Sequence, residues 1–254
     1  MHGRVVAFVL LAGTAFGSER LTGYTDETQL LEPGRGEVQS DLAYRFLRAT
    51  AYEQADIRAG FAQGLSKWLE GQLLLDLAIV TPETGQGSAL GLVTGLLRAK
   101  LTDARTDAVG LGAEFSASVG PSVGGLQLRG IADKWFGPLW LGFNASVSQA
   151  IGDDPTPTRL EQSLALAYQL PTRVSLGFEL RNRSGFDTNT HFIGDAVYFG
   201  PTLALRYHKL WTALSLLMQV GAFKAKAQQG NGEPDEVIDN ERFNLRFALG
   251  VDLD

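Results

Sequence analysis

From Val109 to Val119 every second residue is apolar: Val109, Leu111, Ala113, Phe115, Ala117 and Val119 alternate with Gly110, Gly112, Glu114, Ser116 and Ser118. A β-strand points successive side chains to opposite faces. A helix turns 100° per residue and would mix the two sets. The same period of two returns in about twelve segments along the chain. Val174, Leu176, Phe178 and Leu180 oppose Ser175, Gly177, Glu179 and Arg181, and Phe243, Leu245, Phe247, Leu249, Val251 and Leu253 oppose Arg242, Asn244, Arg246 and Asp252. The eleventh segment, Leu214–Gly221, keeps the pattern less well, because Leu217 falls among the polar set. If that segment and the one near Tyr52 are not strands, the count is ten.

Connector lengths carry a second signal. Residues 65–67, 102–106, 134–138, 170–172 and 208–209 are tight, whereas 81–90, 150–158, 182–195 and 222–240 are long. Short turns at one end and longer loops at the other are the pattern of an outer-membrane barrel. Ten residues at ~3.3 Å each, tilted by ~40°, rise about 25 Å, the height of the apolar band of such a barrel. The longest apolar run, Val5–Ala15, lies behind a basic residue and ahead of Gly17-Ser18-Glu19. It reads as the core of a secretory signal peptide and is too short for a membrane-crossing helix. The expected organisation is therefore a signal peptide over 1–17, a short periplasmic leader over 18–36 partly tucked into the barrel mouth, and a barrel over 37–254. The fold class is all-β: a transmembrane antiparallel β-barrel with short periplasmic turns and longer extracellular loops, in the outer membrane of a Gram-negative bacterium.

Composition excludes several functions. The chain has 254 residues, no cysteine and a formal charge of −6. No disulfide scaffold or thiolate metal site is available, and the net negative charge disfavours nucleic acid as a partner. A mean hydropathy of −0.01 suits a wall that is apolar outside and polar inside. The three histidines, His2, His191 and His208, include one in the signal peptide, so a three-histidine zinc site is excluded. His191 with Ser184 and Asp187 or Asp195 supplies the residue types of a hydrolase triad, but in a loop whose composition suits solvated turns. The acids Glu233, Asp235, Glu236, Asp239 and Glu241 lack the spacing of a calcium loop. No catalytic, metal-binding or cofactor-binding residues are assigned, and an enzyme is not expected.

The inward face is charged. Asp41, Arg45, Asp56, Arg58, Glu70, Asp76, Arg98, Lys100, Glu114, Arg129, Glu161, Glu179, Arg181, Arg206, Arg242 and Arg246 fall on the expected lumen side. Exposed to lipid, each is costly, so their phase is well determined. They either line a narrow passive channel for small solutes or pair across a closed interior in a structural or surface-binding barrel. A membrane-embedded lipid hydrolase is the weaker third reading. Trp68, Trp135, Trp140 and Trp211 all lie in or beside short turns, which places them in an interfacial aromatic girdle on the periplasmic side. The expected partners are outer-membrane lipid and lipopolysaccharide, the barrel assembly machinery and a small solute.

Three stretches resemble uncharacterised outer-membrane barrels of Gram-negative bacteria. They are Gly23-Tyr24-Thr25-Asp26-Glu27-Thr28 with Glu32-Pro33-Gly34-Arg35-Gly36-Glu37-Val38, then Asp56-Ile57-Arg58 through Gly64-Leu65-Ser66-Lys67-Trp68-Leu69-Glu70, and Tyr198-Phe199-Gly200-Pro201-Thr202-Leu203 with Tyr207-His208-Lys209-Leu210-Trp211. The third is similar to a hairpin of transporter barrels of the phenol-degradation type. The resemblance implies a barrel and transport, and it brings no catalytic residues. Such barrels usually finish on an aromatic residue, whereas this chain ends Val251-Asp252-Leu253-Asp254.

Overall fold

The structure, a computed structural model, describes residues 20–46, 53–81, 88–121, 123–152, 158–187, 191–224 and 241–253. The expected signal peptide and the acids Glu233, Asp235, Glu236 and Asp239 lie outside the described residues. Twelve strands follow in order: β1 (Gly36–Phe46), β2 (Glu53–Ser66), β3 (Leu69–Thr81), β4 (Ser88–Thr102), β5 (Gly110–Val119), β6 (Val123–Phe136), β7 (Leu139–Gly152), β8 (Thr158–Gln169), β9 (Val174–Phe186), β10 (Phe192–Tyr207), β11 (Leu210–Lys224) and β12 (Phe243–Leu253). Each pairs antiparallel with its sequence neighbours, and β12 returns to β1 in register from Gly36↔Leu253 to Phe46↔Phe243. The sheet is thus a closed twelve-stranded barrel, and closure leaves no unpaired edge. Both weaker segments are strands, β2 and β11.

Alternation becomes the two faces of the wall. On β5, Leu111 and Phe115 are exposed while Glu114 and Ser116 are buried. Leu73, Leu97, Leu128, Phe143, Phe178, Phe247 and many like them give the outside an encircling apolar surface. A patch of that extent on a water-facing protein would drive aggregation, and hydrocarbon is its natural solvent. Strands of ten to sixteen residues span the necessary height. The short connectors 67–68, 103–109, 137–138, 170–173 and 208–209 share one end with the start of β1 and the end of β12.

The segment before β1 takes no part in the wall. Residues 21–28, 30 and 31 are buried. The chain runs inside from the short-turn end, where Leu21 packs with Trp140, Ala165 and Ala167. It rises until Tyr24 meets Ala196, Tyr198 and Leu217, midway along β11. It then descends, with Thr28 at Asp133 near the end of β6 and Leu31 at Glu70 near the start of β3. Glu32-Pro33-Gly34-Arg35 turns it into β1: the Arg35 amide donates to the Glu32 carbonyl at 2.9 Å, and Gly34 has φ +82°. Proline second and a left-handed glycine third are what a type II turn requires. The leader therefore reaches far beyond the barrel mouth.

Candidate functional site

Besides Asp133 at Thr28 and Glu70 at Leu31, two carboxylates hold the middle of this segment. Glu179, on β9 and fully buried, accepts the backbone amides of Gly23, Tyr24 and Thr25 at 3.1, 2.9 and 2.8 Å, and the Ser215 hydroxyl at 2.7 Å. An isolated buried carboxylate is strongly unfavourable, and four donors converging on it offset that desolvation. The second is Asp26, carried by the segment itself. It pairs with Arg129, with Arg20 at 3.2 Å and with Arg98 at 3.5 Å. Asn144 on β7, in the amide orientation that satisfies both its ends, accepts from the Asp26 amide at 2.6 Å and donates to its carbonyl at 3.1 Å.

Tyr24 is the apolar anchor. Its hydroxyl donates to Asn244, and the guanidinium groups of Arg181 and Arg246 lie over its ring, 4.3 and 4.7 Å from the ring centre. Cations over an aromatic face are attracted by its quadrupole, more strongly when water is excluded. Leu217, which breaks the polar pattern of β11, is the floor under this ring.

The other lumen charges are paired. Arg246 donates to Asp41 at 2.6 Å, Arg98 to Glu114 at 2.6 Å, and Arg181 to Glu161 at 2.7 Å. Arg45 sits 2.8 Å from Asp56, Lys100 3.2 Å from Asp103, and Arg58 and Arg206 pair with Asp76 and Asp252. Glu70 accepts the Leu31 amide at 2.8 Å. The structure thus brings together all the expected lumen charges except Arg242, which is exposed just before β12.

Between the segment and a wall formed by β1–β6, with Trp211 of β11 and Arg246 of β12, lies a cavity of about 80 Å³. Arg20, Arg58, Arg98, Arg129 and Arg246 line it, as do Asp26, Glu27, Glu37, Asp41 and Glu114. Five cations against five acids give no net charge, and the volume suits a few waters at ~10–15 Å³ each.

The expected tryptophan girdle is corrected. Trp68 alone of the four is well exposed, at 48%, whereas Trp140 and Trp211 are buried in the lumen at 0% and 2%. Trp135, opposite Trp140 in the ladder, is half-buried beside the Leu21 cluster. Proximity to a turn sets a residue's depth, but parity sets its face. Leu141 points out, so Trp140 points in, and exposed Leu210 likewise sends Trp211 inward. Each indole N–H finds a buried carboxylate: Trp140 donates to Asp133 at 2.9 Å and Trp211 to Glu37 at 2.7 Å.

His191 is exposed at the long-loop end. Its amide donates to Asp187 at 2.8 Å and its ring Nδ1 lies 3.1 Å from the same carboxylate. Ser184 and Asp195 face each other in the β9–β10 ladder, where Ser184 accepts from Asn182 at 3.4 Å. Glu241 is buried, with the Asn244 amide at 3.1 Å and Arg183 at 3.6 Å.

A family of unknown function, DUF6662, matches residues 152–253. No curated protein matches in sequence. Among solved structures, the COG4313 outer membrane channel from Pseudomonas putida F1 is similar at 12% identity with a TM-score of 0.63, covering 89% of this chain and 98% of that one. The beta domain of the Bordetella autotransporter BrkA gives 11% and 0.54, over 87% and 99%. The KdgM porin in complex with disordered oligogalacturonate gives 8% and 0.53, over 85% and 99%. The likeness is one of fold, to outer-membrane barrels as a group. It does not single out the phenol-degradation type.

Proposed function

We propose that this protein is an outer-membrane channel for small solutes, closed in the described conformation by its own N-terminal segment. The observation that carries the reading is the residue 20–31 segment inside the lumen, held at Glu179 and Asp26 with a cavity of about 80 Å³ beside it. A wall of twelve strands encloses more space than its own side chains fill, so a segment that withdraws leaves a polar passage. Its hold is mostly polar, through hydrogen bonds and ion pairs that water can replace, with Leu21, Tyr24 and Leu31 as apolar anchors. Likeness to a channel and a porin supports the reading at the level of fold. The short turns then face the periplasm, the long loops meet lipopolysaccharide, and the barrel assembly machinery inserts the chain. The protein does no chemistry of its own.

The absence of native cysteine permits a direct test. An ideal Cβ on Gly23 lies 2.6 Å from the Ser215 hydroxyl, so Gly23→Cys with Ser215→Cys can bridge after a small shift. In planar bilayers the reduced double variant should conduct intermittently, and oxidation should silence it. Conductance indifferent to oxidation would remove the segment as the gate. The second reading, a closed structural barrel, draws on the extensive pairing of the lumen charges. It gains if no conductance appears even with the segment released.

A further inference from the structure

The short-turn rim carries a basic collar. Lys67 lies in the β2–β3 turn, Arg173 in the β8–β9 turn, His208 and Lys209 in the β10–β11 turn, and Lys134 faces outward at the end of β6. In the β4–β5 turn, by contrast, Asp103 is taken up by Lys100 at 3.2 Å and by the Arg105 amide at 2.9 Å. The sequences of connectors 81–88, 152–158, 187–191 and 224–241, which join the other ends of the strands, each hold more acids than bases.

Two further observations point to a ligand for this collar. Arg173 and His208 adopt φ of 63° and 53°, a left-handed conformation that glycine takes freely and residues with a Cβ adopt uncommonly. At the β6–β7 turn the same conformation, φ 61°, is met by Gly137. Where glycine would ease the turn, the chain keeps a cationic or titratable side chain, and strain retained in this way is a mark of use. Depth is the second observation. The collar lies at the margin of the apolar belt, beside exposed Leu65, Phe136 and Tyr207, and the Lys67 ammonium stands 5.0 Å over the outward Trp68 ring. An indole there lies at headgroup level, and a cation beside it meets lipid phosphate rather than bulk water.

We propose that this rim binds the headgroups of anionic phospholipids in the leaflet it faces. The inference rests on the membrane-spanning reading of the barrel and is independent of whether the barrel conducts. Guanidinium and ammonium groups at the rim engage phosphate oxygens through charge-assisted hydrogen bonds, and a net negative headgroup is favoured over a zwitterionic one by the summed field of the collar.

The test uses the full chain in two measurements. In vesicles, tryptophan fluorescence is quenched by brominated phosphatidylcholine or brominated phosphatidylglycerol, and Trp68 supplies the lipid-accessible signal because Trp140 and Trp211 are buried in the lumen. Phosphatidylglycerol should associate about three- to ten-fold more strongly at low salt, with the preference shrinking as salt rises. In detergent with an equimolar mixture of the two lipids, native mass spectrometry should show preferential retention of phosphatidylglycerol. Lys67→Gln combined with Arg173→Gly and Lys209→Gln should bring both preferences close to unity. Arg173→Gly alone eases its turn, so it should retain the fold while weakening retention, and Arg159→Gln near the opposite rim should change nothing. Equal association of the two lipids with the wild-type chain overturns the proposal, as does a preference that survives the triple substitution. Absence of quenching by either lipid would overturn the membrane reading itself.

Discussion

The Glu179 carboxylate accepts the Tyr24 amide at 2.9 Å across 155 residues of sequence, and both residues are buried. One side chain of the wall thereby fixes the top of the inner segment, since the same carboxylate also takes the amides of Gly23 and Thr25. Glu179→Ala leaves the Tyr24 and Thr25 amides without an acceptor, while the Gly23 amide keeps the Ser215 hydroxyl at 3.0 Å, a loss of about 3 kcal/mol. The wall ladder is untouched, so the barrel should still fold and resist heat. Planar-bilayer recordings should show openings far more frequent than in the wild-type protein. A variant as silent as the parent would mean that Glu179 does not hold the segment.

Asp26 and Arg129 should be energetically coupled. Both lie out of bulk water, and Arg98 and Arg20 share the same carboxylate. Removing one partner of a buried pair strands the other, at about 3 kcal/mol. Asp26→Ala should lower the midpoint of heat-modifiable gel migration, and Asp26→Ala with Arg129→Ala should lose less than the sum of the two single effects. Strict additivity would show that the pair contributes nothing of its own.

Wall phase predicts opposite outcomes at adjacent positions. Phe115 is 48% exposed on the outside and Ser116 is 8% exposed in the lumen. Phe115→Arg puts a charge into hydrocarbon, a penalty of about 2–4 kcal/mol near the midplane, and should impair insertion. Ser116→Thr should be well tolerated. The fraction of membrane-extracted protein with shifted migration reports both, and equal tolerance would reverse the assigned faces.

Gly250 should resist substitution. It pairs with Trp211 across the β11–β12 ladder, and a Cβ there would run into the indole. Gly250→Ala must displace a ring whose N–H is committed to Glu37 at 2.7 Å. Overpacking of this kind costs about 1–3 kcal/mol. Trp211→Phe in the Gly250→Ala background removes the indole edge that the new Cβ meets, so it should recover part of the lost stability, whereas Trp211→Ala relieves the clash but leaves a cavity in the lumen. Thermal midpoints of the four proteins distinguish these cases.

Much of the wall was legible from local pattern. The clean alternation of β5 and β9 names their lipid and lumen faces directly, because a strand's period of two is a property of the backbone alone. The tryptophans show where such reading needs care. Leu141 and Phe143 already placed Trp140 inside, and adjacency to a turn was the weaker guide. The break at Leu217 was a trace of the inner segment: an apolar residue on a polar face needs a cover, and the cover is Tyr24.

By itself the sequence determined an alternating, antiparallel wall of ten to twelve strands and the parity of nearly all its charges. It did so because strand faces, turn lengths and the expense of charge in lipid act over a few residues at a time. Tertiary structure decided what fills the wall. Residues 20–31 show little periodicity because their backbone bonds go to side chains such as Glu179, Glu70 and Asn144 rather than to a neighbouring strand. Such partners lie 39 to 156 residues away along the chain, and only closure of the barrel brings them around one segment.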